Sequence, residues 1–487
     1  MGLVSANPII SFSQKIEWSG PVSEDTKFEY VKILGSDESG FFVLKTNLPF
    51  EYKSDHYGFR KRRFALAYFD LFMHLKMQKE LLPVQKELHI FKVLFAKDRV
   101  LVVNSLVNKE KKQFVISAQW INNKGTETDN IKIAEYQYLN KSELEDMEII
   151  LSKDQSLMCL LSPQTFDEPQ EKQFINATAI DSNLSVVWKK QIEIPFSKKM
   201  YENQGAILSN EGALFILGHS KIFSRDNTIV PPRYFMFSFN PQKNSQTDIP
   251  VALDDYISDA GFTIDNAKKK VLIAGFYGDK TTPVIAGVFT AAYDWNSEKI
   301  SAIVTKPFEI KIMDAAINLS TGQDNGNSIY PINKLVVRND GGMVLLSEAN
   351  YLTQSSYYDY FTRSFVNKVI YHYENIIAVS INPDGTMDWQ QSIPKMQETQ
   401  DDGGYYSSFC SLIYGTKINL IYNNAVEKSN TIYSNSINNK GIKDQKILIS
   451  EADRVLLIPQ SALQIDNNTL IVPAYRDRKF VYAKITF

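Results

Sequence analysis

The chain closes on an apolar strand with nothing after it to pair with. Val481 to Phe487 reads VYAKITF, and near the other end Ile9 to Trp18 reads IISFSQKIEW, a strand with no hairpin partner before it. Between them one supersecondary unit recurs eight times. A repeat array whose last unit lacks a strand that the N-terminus supplies is the pattern of a closed β-propeller. The expectation is therefore an all-β chain forming a single β-propeller domain over 9–487, with about eight four-stranded blades (seven being the alternative) and strand 9–18 completing the last blade. Pairing the two termini removes two open sheet edges, which would otherwise template aggregation.

Each unit opens with two apolar strands around a polar turn. The copies are ILGSDESGFFVLKTN from Ile33, KVLFAKDRVLVVNSL from Lys92, IILSKDQSLMCLLSP from Ile149, ILSNEGALFILGHS from Ile207, FTIDNAKKKVLIAGF from Phe262, LVVRNDGGMVLLSEA from Leu335, SLIYGTKINLIYNNA from Ser411 and ALQIDNNTLIVPAYR from Ala462. Gly, Asn and Asp at the turns suit the positive φ of tight hairpins. A third strand follows in every copy, from FALAYFD in the first to VYAKITF in the last, and then a more polar fourth strand. Two of the turns between third and fourth strands are one tetrapeptide, Asn122-Asn123-Lys124-Gly125 and Asn438-Asn439-Lys440-Gly441. Fourth strands share an aromatic followed four residues later by Ile: Trp188 and Ile192, Trp389 and Ile393, and Phe12 and Ile16 at the N-terminus. The flat rings of Trp188 and Trp389 are expected to bury area between neighbouring blades.

Composition narrows the function classes. A formal charge of −2 gives no global attraction to nucleic acid or to an anionic membrane. No run approaches the ~18 apolar residues of a membrane-spanning helix, so direct membrane insertion is not expected. Cys159 and Cys410 each sit in an apolar stretch and read as buried thiols. The start, MGLVSANP, lacks the basic and apolar regions of an intact signal peptide, and Ala6 breaks the myristoylation pattern.

In a propeller the links between second and third strands and those between blades share one face. The long segments of this chain fall in those links: Leu48–Arg63, Pro163–Lys172, Ser220–Arg233, Ile310–Pro331, Asn350–Glu374 and Met396–Tyr405. A binding surface is expected there. The sixth-blade segment gathers Tyr351, Tyr357, Tyr358, Tyr360, Phe361, Phe365, Tyr371 and Tyr373. Such rings anchor protein interfaces and stack on sugars, although some of them can instead pack the insertion onto the blade or simply extend its strands. The first-blade segment holds Lys53, Arg60, Lys61, Arg62 and Arg63, a cluster that clamps an acidic partner or remains a solvated charge run. The candidate partner-binding residues are Tyr351, Tyr357, Tyr358, Tyr360, Phe361, Arg60, Arg62 and Arg63.

Signatures of catalysis are missing from the sequence. His56, His74, His89, His219 and His372 have no metal-ligand spacing, and there is no nucleophile elbow, Walker A loop or dinucleotide fingerprint. The segments around Asp324 and at Asp401-Asp402-Gly403-Gly404 are acidic but lack EF-hand spacing, and they read as turns. Asn382-Pro383-Asp384-Gly385 falls at a turn between third and fourth strands. The expectation is a non-enzymatic chain with no cofactor and no metal.

The stretch from Asn375 to Phe409, NIIAVSINPDGTMDWQQSIPKMQETQDDGGYYSSF, resembles β-propeller proteins of bacteria that use type 9 secretion, in which a strand ending in a Gly–Trp–Ile-Pro-Lys pattern precedes an acidic Gly-Tyr-Ser segment. The resemblance covers about one blade and the entry to the next. That neighbourhood includes the Plug subunit of the type 9 translocon. The resemblance implies a periplasmic subunit, its signal peptide removed, that docks on an outer-membrane or envelope protein complex and plugs a translocon. It carries over no catalytic residue. The alternative is a carbohydrate-binding or glycan-processing propeller that uses the Tyr-rich segment as a stacking platform, and an intracellular scaffold is a third reading.

Overall fold

The structure, a computed structural model, describes residues 14–22, 27–50, 62–82, 88–139, 144, 146–164, 166, 170–220, 224–225, 228–229, 232–279, 284–309, 311–312, 330–361, 363–426 and 430–487. These residues form eight four-stranded antiparallel meanders, the blades of a β-propeller, as the repeat predicts. Blade one runs through Tyr30–Asp37, Gly40–Thr46, Phe64–Asp70 and Leu75–Leu81, and the same order recurs down the chain. Some blades depart from the plain pattern. In blade five the fourth strand is split into Lys299–Ile300 and Val304–Pro307, both paired with Ile285–Asp294. In blade eight the first strand is split into Val455–Leu457 and Leu463–Gln464 around a 3-10 turn at Pro459–Ser461, a break the sequence did not announce.

The last blade takes its fourth strand from the N-terminus. Lys15–Trp18 pairs antiparallel with Lys479–Thr486, Lys15 opposite Thr486 and Trp18 opposite Ala483. Ser19 extends the contact: its N–H donates to Tyr482 O, and its Oγ accepts from Tyr482 N, each at 2.9 Å. The Arg476 guanidinium lies 4.9 Å from the Trp18 ring centre. Residues 9–13 of the expected strand lie outside the described residues.

The chain divides into two compact units. One comprises Met1–Phe50, Arg62–Gln78 and Gln397–Phe487; the other comprises Glu51–Lys61 and Lys79–Met396. In the second unit, consecutive blades are joined through equivalent turns. Lys97 N donates to Gln155 Oε1 at 2.9 Å, Asp154 N to Asn210 Oδ1 at 3.3 Å and Asn210 N to Asn266 Oδ1 at 2.9 Å, and Lys268 Nζ donates to Asp340 O. The apolar clusters also span neighbouring blades: Met158, Leu160 and Ile180 pack with Val103, Phe114 and Trp120, and Trp188 meets Phe239 of the following blade edge to face at 5.1 Å. In the first unit Phe41, Phe69 and Tyr482 form one aromatic group, with centroids 4.8–5.5 Å apart.

The repeated tetrapeptide makes one turn twice. Asn122 Oδ1 accepts from Lys124 N and Thr126 N, Asn438 Oδ1 accepts from Lys440 N and Ile442 N, and Gly125 and Gly441 supply φ of 78° and 73°. One feature had no sequence signal. The first strand of blades one, two, four, five and six carries a register shift that begins in its N-terminal half, as at Ile33/Gly35 and Ile257/Asp259. Such bulges bend a strand and re-aim its side chains. In blade five this brings Asp259 between its neighbours, where it accepts from Gln204 Nε2 of blade four and, at 2.7 Å, from Ile332 N of blade six.

Candidate functional site

The sixth-blade insertion is a ribbon rather than a loop. Met343–Asp359 and Ser364–Ile381 pair from Met343 opposite Ile381 out to Asp359 opposite Ser364. The neighbouring strands stop short: Ile332–Val337 pairs only as far as Ser347, and Met387–Ile393 only as far as Ile376. Ten further pairs, from Asn350 opposite Tyr373 outward, carry the ribbon about 30 Å beyond those two strands at the rise of a β-strand. The composition explains it, because YLTQSSYY and SFVNKVIYHY are rich in aromatic and β-branched residues. The reading of the segment as strand extension holds, and the reading of it as a long link does not.

Cross-strand side-chain contacts and the packing at its root hold the ribbon. Along its length Tyr358 meets Phe365 edge to face at 5.3 Å, Lys368 Nζ sits 5.2 Å from the Tyr357 ring centre, and Thr353 Oγ1 hydrogen-bonds His372 Nε2 at 2.8 Å. The root is a bulge that skips Ala349 on one strand and Glu374 and Asn375 on the other. Lys395 is packed beneath it. Its Nζ pairs with Glu348 Oε1 at 2.8 Å, with neither side chain exposed, and donates to Tyr373 O at 3.0 Å. Its own N–H donates to Asn375 Oδ1 at 3.3 Å. Burial pushes the Lys395 ammonium below its ordinary pKa, and Glu348 and Glu374 oppose that shift.

Toward the tip the rings face solvent. Phe361 is fully exposed, Tyr360 is 83% exposed and Phe365 73%, while Tyr357 and Tyr358 are also exposed. Large apolar rings gathered at this exposure mark interaction surfaces. Four of the expected site residues, Tyr357, Tyr358, Tyr360 and Phe361, are thus brought together. Tyr351 is placed at the root instead, its ring stacked on His372 at 4.5 Å and its hydroxyl donating to Glu374 Oε1 at 2.7 Å.

The basic cluster is partly outside the described residues, which include neither Lys53, Arg60 nor Lys61. Arg62 donates to Pro49 O at 2.8 Å, and Arg63 lies 5.9 Å from the Phe28 ring centre while its N–H donates to Asn47 Oδ1.

Other residues singled out by the sequence make local contacts where they are described. His74 sits 3.3 Å from Asp70, and His219 packs on Tyr234 at 5.1 Å. His56 and Asp324 lie outside the described residues. Asp401, Gly403 and Gly404 form a turn at positive φ, with Gly404 N donating to Asp402 Oδ1 at 2.8 Å. Asp384 accepts from Thr386 N at 2.9 Å within its turn. Cys159 and Cys410 are buried thiols, and burial raises the Cys159 pKa strongly. Among the described residues no group of three or more His, Cys, Asp or Glu is placed to hold a metal ion, and no helix is long and apolar enough to cross a membrane.

Sequence reasoning missed a crevice of about 1420 Å³ between blades three and four, lined by Phe166, Phe174, Phe196, Lys172, Lys198 and Gln204 among others. Its walls come from strands and links of two blades that are separated in sequence, so no local motif marks it.

No protein-family model and no curated protein matches the chain. Solved structures similar to it include a prolyl endopeptidase (9% identity, TM-score 0.43, covering 93% of this chain and 55% of that one). Another is the β-propeller domain of the trilobed protease from Pyrococcus furiosus (10% identity, TM-score 0.36, covering 88% and 100%). A third is the polysaccharide lyase Uly1 (10% identity, TM-score 0.39, covering 94% and 99%). The chain thus spans about half the length of the prolyl endopeptidase.

Proposed function

We propose that the chain is a binding module, acting by docking rather than by catalysis, and that its sixth-blade ribbon is the docking element. The observation that carries this reading is the group of Tyr357, Tyr358, Tyr360, Phe361 and Phe365 held in solvent at the end of a rooted ribbon. Aromatic side chains supply large contact area for few rotatable bonds, and they dominate the binding energy of protein interfaces. The partner proposed is a cell-envelope protein complex, with the chain in the periplasm as a plug-type subunit of a type 9 translocon. That part rests on the resemblance of 375–409, whose Pro-Lys element includes Lys395 at the ribbon's root.

The test is purification of the tagged protein from its native membrane fraction, with mass spectrometry of what accompanies it. A stoichiometric envelope protein supports the reading. A chain that comes through alone but binds a glycan array through the same rings replaces it with the carbohydrate reading.

A further inference from the structure

We propose that two copies of this chain associate by antiparallel pairing of the outer edge of residues 352–358, LTQSSYY, which joins the two ribbons into one continuous sheet. The inference goes beyond the docking reading and stands without it. Its starting point is an unguarded edge. Beyond Ser347 the strand Met343–Asp359 has Ser364–Ile381 on one side, and among the described residues no strand pairs with the other side of 352–358. All seven side chains there are exposed. A strand edge of this kind presents N–H and C=O groups ready to accept another strand.

What makes the edge unusual is the comparison with its own molecule. Proteins protect edges with charge, proline or bulges. The outer fourth strands here follow that rule: LKMQKEL, IKIAEYQ, VVWKKQIEI, MDWQQSI and KDQKILI carry charged residues, and SQTDIPV carries Asp248 and Pro250. The N-terminal strand KIEW carries Lys15 and Glu17. The segment LTQSSYY has no charge, no proline and no register shift.

The occupant follows from self-complementarity. In antiparallel pairing about a twofold axis at Ser355, Leu352 lies opposite Tyr358, Thr353 opposite Tyr357 and Gln354 opposite Ser356. No like charges meet, and each aromatic ring gains an aliphatic or β-branched neighbour, the pairings that stabilise sheets. Because the contact is isologous, it uses the open edge of both copies and stops at two.

Sedimentation analysis of the full chain across a wide concentration range tests this. A reversible dimer is expected, and the double variant Ser355→Lys, Ser356→Lys should weaken it about tenfold or more by bringing lysines together across the axis. Circular dichroism checks that this variant is folded. Tyr360→Ser with Phe361→Ser should leave the dimer in place, because those residues lie beyond the paired edge. Ser355→Cys should link two copies through a disulfide on mild oxidation, since directly opposed residues lie within bridging distance. A wild-type chain that stays monomeric overturns the proposal. So does a dimer that survives the lysine variant, one lost in the tip variant, or a Ser355→Cys chain that does not cross-link.

Discussion

The Lys395 ammonium and the Glu348 carboxylate meet at 2.8 Å with neither side chain reaching solvent, at the bulge where the ribbon leaves the body of the sixth blade. A buried pair of this kind contributes little net stability when intact, but removing one partner leaves an uncompensated charge in a dry site. Lys395→Met is therefore expected to destabilise the second unit by about 3–5 kcal/mol. The double variant with Glu348→Gln should recover part of that loss. Hydrogen exchange should locate the effect, with protection falling first in 350–373 at the ribbon's root. Equal loss of protection throughout the unit would mean that the pair does not specifically anchor the ribbon.

Asn423 uses its whole hydrogen-bonding capacity. Its Nδ2 donates to Tyr406 O at 2.8 Å and Leu457 O at 3.0 Å, and its Oδ1 accepts from Leu457 N at 3.0 Å and Asn430 Nδ2 at 2.8 Å. It thereby ties blade seven to the broken first strand of blade eight. Asn423→Ala leaves buried backbone groups without partners and is expected to cost about 2–4 kcal/mol in chemical denaturation. Asn423→Leu, similar in size, should be no better, because the lost partners matter more than the cavity.

The first turn of blade one is built on Asp37 and Gly40. Burial alone would raise the Asp37 pKa, but donors from Tyr68 Oη, Ser39 N, Ser39 Oγ and Gly40 N outweigh it and hold the carboxyl below its ordinary range. The folded-state value lies under the unfolded one of about 4, so this stabilisation is complete above that pH and is lost as pH falls through the depressed value. Asp37→Asn should flatten the acid limb of the stability curve and cost about 1 kcal/mol at neutral pH. At Gly40 a Cβ would sit 2.0 Å from Phe69 O, whereas at Gly20 nothing lies within 4 Å. Thermal melts should show Gly40→Ala destabilised by about 3 kcal/mol and Gly20→Ala within about 0.5 kcal/mol of the parent.

Removing residues 1–18 strips the partner from Lys479–Thr486 and leaves its edge open. The truncated chain should melt lower and aggregate with increasing concentration. Light scattering that is unchanged from the full chain would show that the N-terminal strand contributes nothing to the last blade.

Most of the strand order was legible because each blade repeats two apolar strands around a polar turn: ILGSDESGFFVLKTN becomes Tyr30–Asp37 and Gly40–Thr46 with its turn where Asp-Glu-Ser predicts it. That the N-terminal strand joins the last blade was legible, whereas the register that sets Trp18 opposite Ala483 was not. The bulges were not, because a register shift such as Ile257/Asp259 depends on which residues the partner strand and the next blade present. The split first strand of blade eight was missed for a related reason: Val455–Leu457 is too short to signal a strand by pattern. At the candidate site the aromatic residues were legible and their arrangement was not. Tyr351 and Tyr357 read alike in sequence, and only the pairing separates a ring stacked on His372 from one beside Lys368 near the tip.

The most direct test of the docking account compares the wild-type chain with the variant Tyr357→Ser, Tyr358→Ser, Tyr360→Ser, Phe361→Ser in parallel affinity purifications from the native membrane fraction, with thermal melts of both. All four residues are exposed, so the melting temperature should hardly move, while the co-purified envelope protein should fall about a hundredfold or more, as expected for loss of an aromatic hot spot. The same partner recovered at the same stoichiometry with the variant would contradict the account.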